Sequence, residues 1–304
     1  MASLKIWLRA IRAPFFTATI IPILLGSVLA WHDTNLFSWP FFFLILLAAL
    51  FMHAGTNLSN DFFDHVSKND VINKTPTPFS GGSRVIQEKL IPPKQILSVA
   101  LISFVLGISI GLYLNFKLPG NTLILLGFLG LFLGFFYTSP PFRLGYNGVG
   151  ELAIGLGFGP LIVLSAYFVQ TAAFSLEALF ISIPVGILIA LVLYINEFPD
   201  YKADKEVGKN TLVVLLGKKI SKNIYILFLI TAYILVIAGA FYELIPYYTL
   251  LVLLTLPIAL KAISTLTKNY GKIEELLPAN KATIGIHFLF GLTLALGYVL
   301  DKVF

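Results

Sequence analysis

The sequence has no cysteine, only two methionines and four histidines, and just 12% of its 304 residues are charged. The missing thiols exclude disulfide frameworks, cysteine nucleophiles and Cys-ligated zinc or iron–sulfur centres. The shortage of charge excludes an ordinary soluble domain, which carries about 25% charged residues. In place of charge stand 58% apolar residues and a mean hydropathy of +0.89. At about 20 apolar residues per membrane crossing, the length accommodates roughly eight to ten spanning helices and no separate water-soluble domain. The chain is expected to be a single membrane-embedded domain, 1–304.

The net charge of +6 would suggest nucleic acid in a soluble protein, but in this chain it first reports orientation in the bilayer; no nucleic-acid partner is expected. The N-terminal stretch has basic residues ahead of an apolar run but no small-residue cleavage site after a short core, so it reads as a retained first helix. Apolar runs fall at about 15–31, 39–60, 95–115, 121–137, 148–168, 177–197, 222–241, 246–266 and 281–300, each near spanning length. The pattern predicts an all-α polytopic bundle of nine transmembrane helices. With the N-terminus cytoplasmic and the C-terminus outside, all of the 21 basic residues except Lys117 and Lys302 fall on the inner side, as the positive-inside rule requires. The protein is expected in the cell membrane, and the same rule puts two long connections, about 61–94 and 198–221, on the cytoplasmic side.

Both long connections begin where an apolar helix runs into acids and amides: NLSNDFFD at 57–64 and NEFPDYKAD at 196–204. Each contains Asn-x-x-x-Asp, which hints at an internal duplication. At about 100° per residue, Asn57, Asn60, Asp61 and Asp64 share one helix face, as do Asn196, Asp200 and Asp204. Pro199 removes a backbone donor and is expected to break the second helix, presenting its carboxylates at the mouth of the bundle. Solvated helix ends paired with loop lysines are the bland alternative. Two such clusters on one side instead suggest paired hard-cation sites, because carboxylate and amide oxygens suit Mg²⁺, which usually bridges to substrate phosphates. Lys68, Lys74 and Arg84 follow the first cluster, and Lys202, Lys205 and Lys209 the second. Carboxylates for metal and bases for the remaining oxygens are what a bound diphosphate requires.

With these motifs in view, the sequence resembles the UbiA superfamily of intramembrane prenyltransferases over nearly its whole length. The family's Asn-Asp-x-x-Asp matches Asn60, Asp61 and Asp64, and its Asp-x-x-x-Asp matches Asp200 and Asp204. RAP at 12–14, YTSPPFRLGYNGVGE at 137–151, GFGP at 157–160 and GKNTLVVLLG at 208–217 look like the 1,4-dihydroxy-2-naphthoate prenyltransferases of the menaquinone branch. Many members carry an Asp where this chain has Lys68; the next acid is Asp70, the spacing of the naphthoate branch. NEFPD departs from the basic residue that many naphthoate enzymes place before Asp200.

The resemblance implies the UbiA helical bundle, with the long connections capping the site, and Mg²⁺-dependent transfer of a polyprenyl group from its diphosphate to an aromatic acceptor. Two Mg²⁺ would be held by Asn57, Asn60, Asp61 and Asp64 and by Asn196, Asp200 and Asp204. Lys68, Arg84, Lys202 and Lys209 would grip the diphosphate, while Arg12, Asp70 and Arg143 are candidates for the acceptor. Asp61, Asp64, Asp200, Asp204 and Tyr137 form the expected catalytic set. Phe62, Phe63, Phe142 and Tyr194 could shield an allylic cation, although packing is the commoner role for any Phe in a chain with 27 of them. His65 reads as a solvated loop residue and His53 as a buried one with a backbone or amide partner. Glu151, near the start of a spanning helix, has no assigned role. A secondary transporter also fits repeats and Pro-containing helices, and 4-hydroxybenzoate or a glycerol-phosphate lipid are alternative acceptors.

Overall fold

Length sets the architecture. The computed structural model describes residues 2–304, and its elements run in order: α1 (Leu4–Ala10), α2 (Thr17–Thr34), α3 (Trp39–Val66), α4 (Asn69–Ile72), α5 (Pro93–Lys117), α6 (Thr122–Phe135), α7 (Gly150–Leu156), α8 (Ile162–Thr171), α9 (Leu176–Glu206), α10 (Leu212–Leu216), α11 (Lys218–Phe241), α12 (Leu256–Asn269) and α13 (Ile273–Val303). A 3-10 turn at Ala13–Phe16 leads into α2, a π-helical turn at Gly157–Leu161 joins α7 to α8, and a 3-10 stretch at Tyr247–Thr255 leads into α12. Among the described residues there is no β-strand, only one isolated bridge between Asn147 and Asn210.

Among the described residues, eight helices are long and apolar enough to cross a membrane. The segment expected at 121–137 forms the shorter α6, whose 14 residues rise only about 21 Å, less than a hydrocarbon core of about 30 Å. Three others, α3, α9 and the 31-residue α13, are much longer than a crossing needs, and the first two bear on the acids. The 28 residues of α3 and the 31 of α9 rise about 42 and 46 Å, so each can project well beyond the apolar layer. Their C-terminal ends carry the two acidic clusters. The acids expected in loops 61–94 and 198–221 therefore sit on rigid helix, which continues to Val66 and Glu206.

α9 is the most buried of these spans. Ser175 caps its start, accepting from the Ala178 N–H at 3.1 Å. α7 and α9 cross at small residues: a Cβ added at Gly186 would lie 2.5 Å from the Gly155 carbonyl oxygen. Such contacts let backbones approach where lipid supplies no hydrophobic drive for association. At the end of the bundle remote from the acids, His32 joins α2 to α13 through Asp301 at 3.0 Å, and Lys302 donates to the His32 carbonyl at 2.6 Å.

The expected break at Pro199 is absent, and α9 is one helix through Pro184 and Pro199. Proline leaves the carbonyl four residues earlier without its donor. Here that carbonyl belongs to Ile195, and Asn280 of α13 donates to it at 3.2 Å while also donating to Asn196 Oδ1 at 2.8 Å. A side chain 85 residues away in sequence thus supplies the lost donor. Asn280→Leu should cost about 1–3 kcal/mol by orphaning a buried carbonyl, read as a lower thermal unfolding midpoint in detergent. An unchanged midpoint would remove Asn280 from this role.

Candidate active site

The ends of α3 and α9 face each other across a polar chamber of 170 Å³. On the α3 side, Asn57, Asn60 and Asp64 line it; on the α9 side, Asn196, Glu197, Asp200 and Asp204 do. The i, i+4 spacing read from the sequence brings these groups to one wall each. Asp61 stands behind the wall: it is 3% exposed and does not line the chamber. Its carboxylate accepts from Arg12 at 2.5 Å and from the Ser83 N–H at 3.2 Å, with the Ser83 hydroxyl as a further donor. Asp61 therefore ties the first connection and Arg12 to α3.

Arg12 lines the chamber, and its guanidinium also donates to Asn60 Oδ1 at 2.9 Å. Its backbone is left-handed, φ 52°, which turns the chain from α1 into the bundle. Asn57 fixes that turn by donating to the Ile11 carbonyl at 2.9 Å. Burial opposes the Arg12 charge, but Asp61 outweighs it and the guanidinium pKa is raised. Lys209 is the second cation. Its ammonium lies 3.1 Å from Asp64 Oδ2, 4.0 Å from Asp204 Oδ1 and 5.2 Å above the Tyr146 ring. Burial again works against it, yet Asp64 and Asp204 hold its pKa well above the ordinary range.

The loop side of the chamber is held by amides. Asn69 donates to Asp204 Oδ1 and Asn73 to Asp200 Oδ1, both at 2.9 Å, and the Gly81 N–H donates to Asp200 Oδ2 at 3.0 Å. Gly82, at φ +77°, lies so close to Asp70 that an added Cβ would meet its carboxylate. Asp70 lines the chamber with Oδ2 buried and unpartnered. Burial, reinforced by Asp64 and Asp61, pushes its carboxyl well above the usual range. Because folding favours the protonated form, the ionised form costs stability above the folded pKa, and this cost vanishes as pH falls to the unfolded value. Asp70→Asn should therefore unfold at a higher temperature than wild type at neutral pH in EDTA, with the gap closing on acidification. A gap that widened on acidification would contradict this placement.

Of the bases expected to grip diphosphate, only Lys209 lines the chamber. Lys68 follows the end of α3 and is exposed. Lys202 sits about 200° around α9 from Asp200 and is exposed. Arg84 donates to the Asp70 backbone carbonyl and braces the connection from outside. Arg143, a candidate for the acceptor, is exposed, 5.7 Å above the Tyr146 ring. Among the described residues, the Lys and Arg side chains lining the chamber are Arg12 and Lys209. Tyr137 does line it, whereas Phe62, Phe63, Phe142 and Tyr194 do not. Phe15, Phe79 and Phe158 provide its aromatic faces. His65 lies within α3; His53 is buried and pairs with the Thr19 hydroxyl at 2.8 Å.

Tyr146, Asn210 and the loop amides Asn69 and Asn73 escaped the sequence reading, which named Glu151 without a role. Tyr146 donates to Asp64 Oδ1 at 2.7 Å and also meets the Ser67 hydroxyl at 2.7 Å. Glu151 accepts from the Leu212 N–H at 2.9 Å, and the Asn210 N–H donates to the Tyr146 carbonyl at 3.1 Å. Together these contacts clamp the 144–151 and 209–212 segments and aim Lys209. The repeated Asn at 69 and 73, one helical turn apart, was the available signal for the loop amides.

A second, apolar cavity of 310 Å³ adjoins the first, between α3, α5, α6 and the α7–α8 span. The two share His53, Thr56, Ile154 and Phe158 as walls. A polar chamber with acids and cations thus opens against a greasy one. Among the described residues, no group of three or more His, Asp or Glu side chains converges on one point as a ready-made metal cage. The chamber's oxygen donors and the unpartnered Asp70 Oδ2 nevertheless fit Mg²⁺, which takes few protein ligands and completes its shell with water and phosphate.

The UbiA prenyltransferase family matches residues 19–295. The chain belongs to this family. It is therefore a prenyltransferase with the UbiA fold. It is 32% identical over 297 residues to a 2-carboxy-1,4-naphthoquinone phytyltransferase of Synechocystis sp., covering 98% of this chain and 94% of that one. It is 28% identical over 290 residues to the 1,4-dihydroxy-2-naphthoate octaprenyltransferase of Bacillus subtilis, covering 95% and 91%. Among solved structures, a UbiA homolog from Archaeoglobus fulgidus bound to GPP and Mg²⁺ superposes with a TM-score of 0.66 at 15% identity, covering 95% of this chain and 99% of that one.

Proposed function

We propose that this UbiA prenyltransferase moves a polyprenyl group from its diphosphate to 1,4-dihydroxy-2-naphthoate, using Mg²⁺, at the cytoplasmic face of the cell membrane. The observation that carries this reading is the shared wall between the polar and apolar cavities. A molecule with a highly charged head and a long apolar tail matches that pair of spaces. The carboxy-naphthoquinone named for one relative and the dihydroxynaphthoate named for the other support the choice of ring. The basic-residue pattern supports the orientation, with α6 completing a ninth crossing despite its short length.

In this reading the diphosphate lies between the ends of α3 and α9. Mg²⁺ held by Asp64, Asp200, Asp204 and the neighbouring amides would neutralise charge that grows as the allylic C–O bond breaks. Lys209 and Arg12 supply fixed positive charge to the departing oxygens, and Tyr146 and Asp64 hold the ammonium in place. The 69–82 connection walls the chamber from bulk water. Tyr137, Phe15 and Phe158 present aromatic faces to the allylic carbon as positive charge develops.

The tail would occupy the apolar cavity. Gly127 and Gly130 of α6 line it, and a Cβ built on either meets nothing within 4 Å. Gly130→Leu should keep the fold and take space from the tail. The kcat/KM ratio of a long-chain to a geranyl donor should fall by about tenfold or more; an unchanged ratio would place the tail elsewhere.

An acceptor panel at fixed donor tests the central assignment. Prenylation of 1,4-dihydroxy-2-naphthoate above 4-hydroxybenzoate and glycerol-phosphate lipid supports it, and preference for either of the others refutes it.

A further inference from the structure

Glu197 takes no part in the roles assigned above, yet it occupies a costly position. It is 5% exposed and lines the polar chamber, and its Oε2 is buried with no hydrogen-bond partner. A buried carboxyl oxygen without a donor is destabilising; a proton shared with Glu151, whose Oε2 is also unpartnered, completes one oxygen of Glu197 and leaves its other oxygen to meet a ligand in the chamber. Its near neighbour is another carboxyl, Glu151, within hydrogen-bonding reach. Glu151 is fixed through its other oxygen by the Leu212 N–H. Glu197 thus presents an acid to the chamber, with Glu151 behind it.

Depth separates Glu197 from the diphosphate groups. It precedes Asp200 by three residues, about 4.5 Å along α9 toward Ile189, Val192 and Leu193, the apolar part of the chamber's lining. The head group belongs with Asp200 and Asp204. The acceptor ring must come within about 3–3.5 Å of the allylic carbon, which lies between head and tail. A carboxyl at that level meets the acceptor rather than the diphosphate.

We propose that Glu197 is a specificity-determining residue that accepts a hydrogen bond from a ring hydroxyl of the aromatic acceptor, with Glu151 as the positioning residue behind it. The proposal rests on the prenyl-transfer reading above. It gives a role to an acidic side chain buried in the chamber wall, and it predicts selection for hydroxylated rings over their deoxy analogues.

The test compares wild type, Glu197→Gln and Glu197→Ala on 1,4-dihydroxy-2-naphthoate and its two monohydroxy analogues, 1-hydroxy-2-naphthoate and 4-hydroxy-2-naphthoate. Acceptor KM, donor KM and the Mg²⁺ concentration for half-maximal rate are measured separately. Glu197→Ala should raise the dihydroxy acceptor's KM by about tenfold or more, leave donor KM and the Mg²⁺ requirement unchanged, and erase discrimination against one monohydroxy analogue. If the alanine variant does not fold, Glu197→Gln decides, with a smaller rise confined to acceptor KM. A rise in donor KM or Mg²⁺ requirement at unchanged acceptor KM would overturn the proposal in favour of a diphosphate or metal role. Intact discrimination would overturn it in favour of a structural one. Should wild type prenylate no naphthoate, the acceptor assignment fails separately. The same comparison on the hydroxylated aromatic that the panel returns, and on its methyl ether, then decides Glu197 by whether the variant loses preference for the free hydroxyl.

Discussion

Asp200→Ala is expected to lower kcat by about 10³-fold or more, the scale associated with removing a group that stabilises developing charge. Asp200 has two duties. Its charge faces the chamber, and its two oxygens hold Asn73 and the Gly81 N–H at 2.9 and 3.0 Å. Alanine would release the connection that walls the chamber as well as the charge. Asp200→Asn separates the effects, because its amide oxygen can still accept a loop donor while its charge is gone. Single-turnover rates across a Mg²⁺ titration should show the asparagine variant nearly as impaired as alanine and not restored at high Mg²⁺. Near-normal turnover in Asp200→Asn would mean that the loop contacts, not the charge, are what matter. Asp64 and Asp204 should follow Asp200, whereas Asp61, behind the wall, should act through Arg12 and Ser83.

Lys209→Met has the second large effect, on both stability and donor binding. The ammonium stands between Asp64 and Asp204, and a methionine of similar length leaves those buried carboxylates without it. Breaking a buried pair in this way costs about 3–5 kcal/mol. Donor KM should rise by about 100-fold, since one of the chamber's two Lys or Arg side chains is lost where truncation of a buried charge partner costs 2–5 kcal/mol or more. The pH dependence has a definite sign. A lysine whose folded pKa is raised contributes fully below its unfolded value and loses that contribution only as pH climbs through the folded one. The stability gap between wild type and Lys209→Met should therefore hold from neutral pH up to the ordinary lysine value of 10.5. Thermal unfolding in detergent and donor titrations check both effects. Equal stability with unchanged donor KM would exclude Lys209 from the site.

Features set by local periodicity were legible in the sequence. The apolar runs, the i, i+4 acids at 57–64 and 196–204, and the family motifs all depend on spacing along one helix. What could not be read depends on distant partners. Pro199 looks like a helix breaker until Asn280 is seen to donate to Ile195. Lys68, Lys202 and Lys209 are equivalent as nearby positive charge, and only the clamp of Tyr146, Asn210 and Glu151 aims the third inward. Glu197 sits one residue from a motif amide, and only the chamber shows which neighbours face it. The helix ends were placed too early because the apolar runs stop at about 60 and 197, while the helices continue through the acids to Val66 and Glu206. Long α3 and α9 instead carry the acids on helix, at lengths that exceed an apolar layer of about 30 Å.

The most direct measurement gives the purified protein a polyprenyl diphosphate and 1,4-dihydroxy-2-naphthoate with Mg²⁺, and follows diphosphate release and prenylated product together. Equal amounts of both, with both abolished by EDTA and restored by Mg²⁺, are expected. Diphosphate released without a prenylated ring, or full product formation in EDTA, would contradict metal-assisted transfer to an aromatic acceptor.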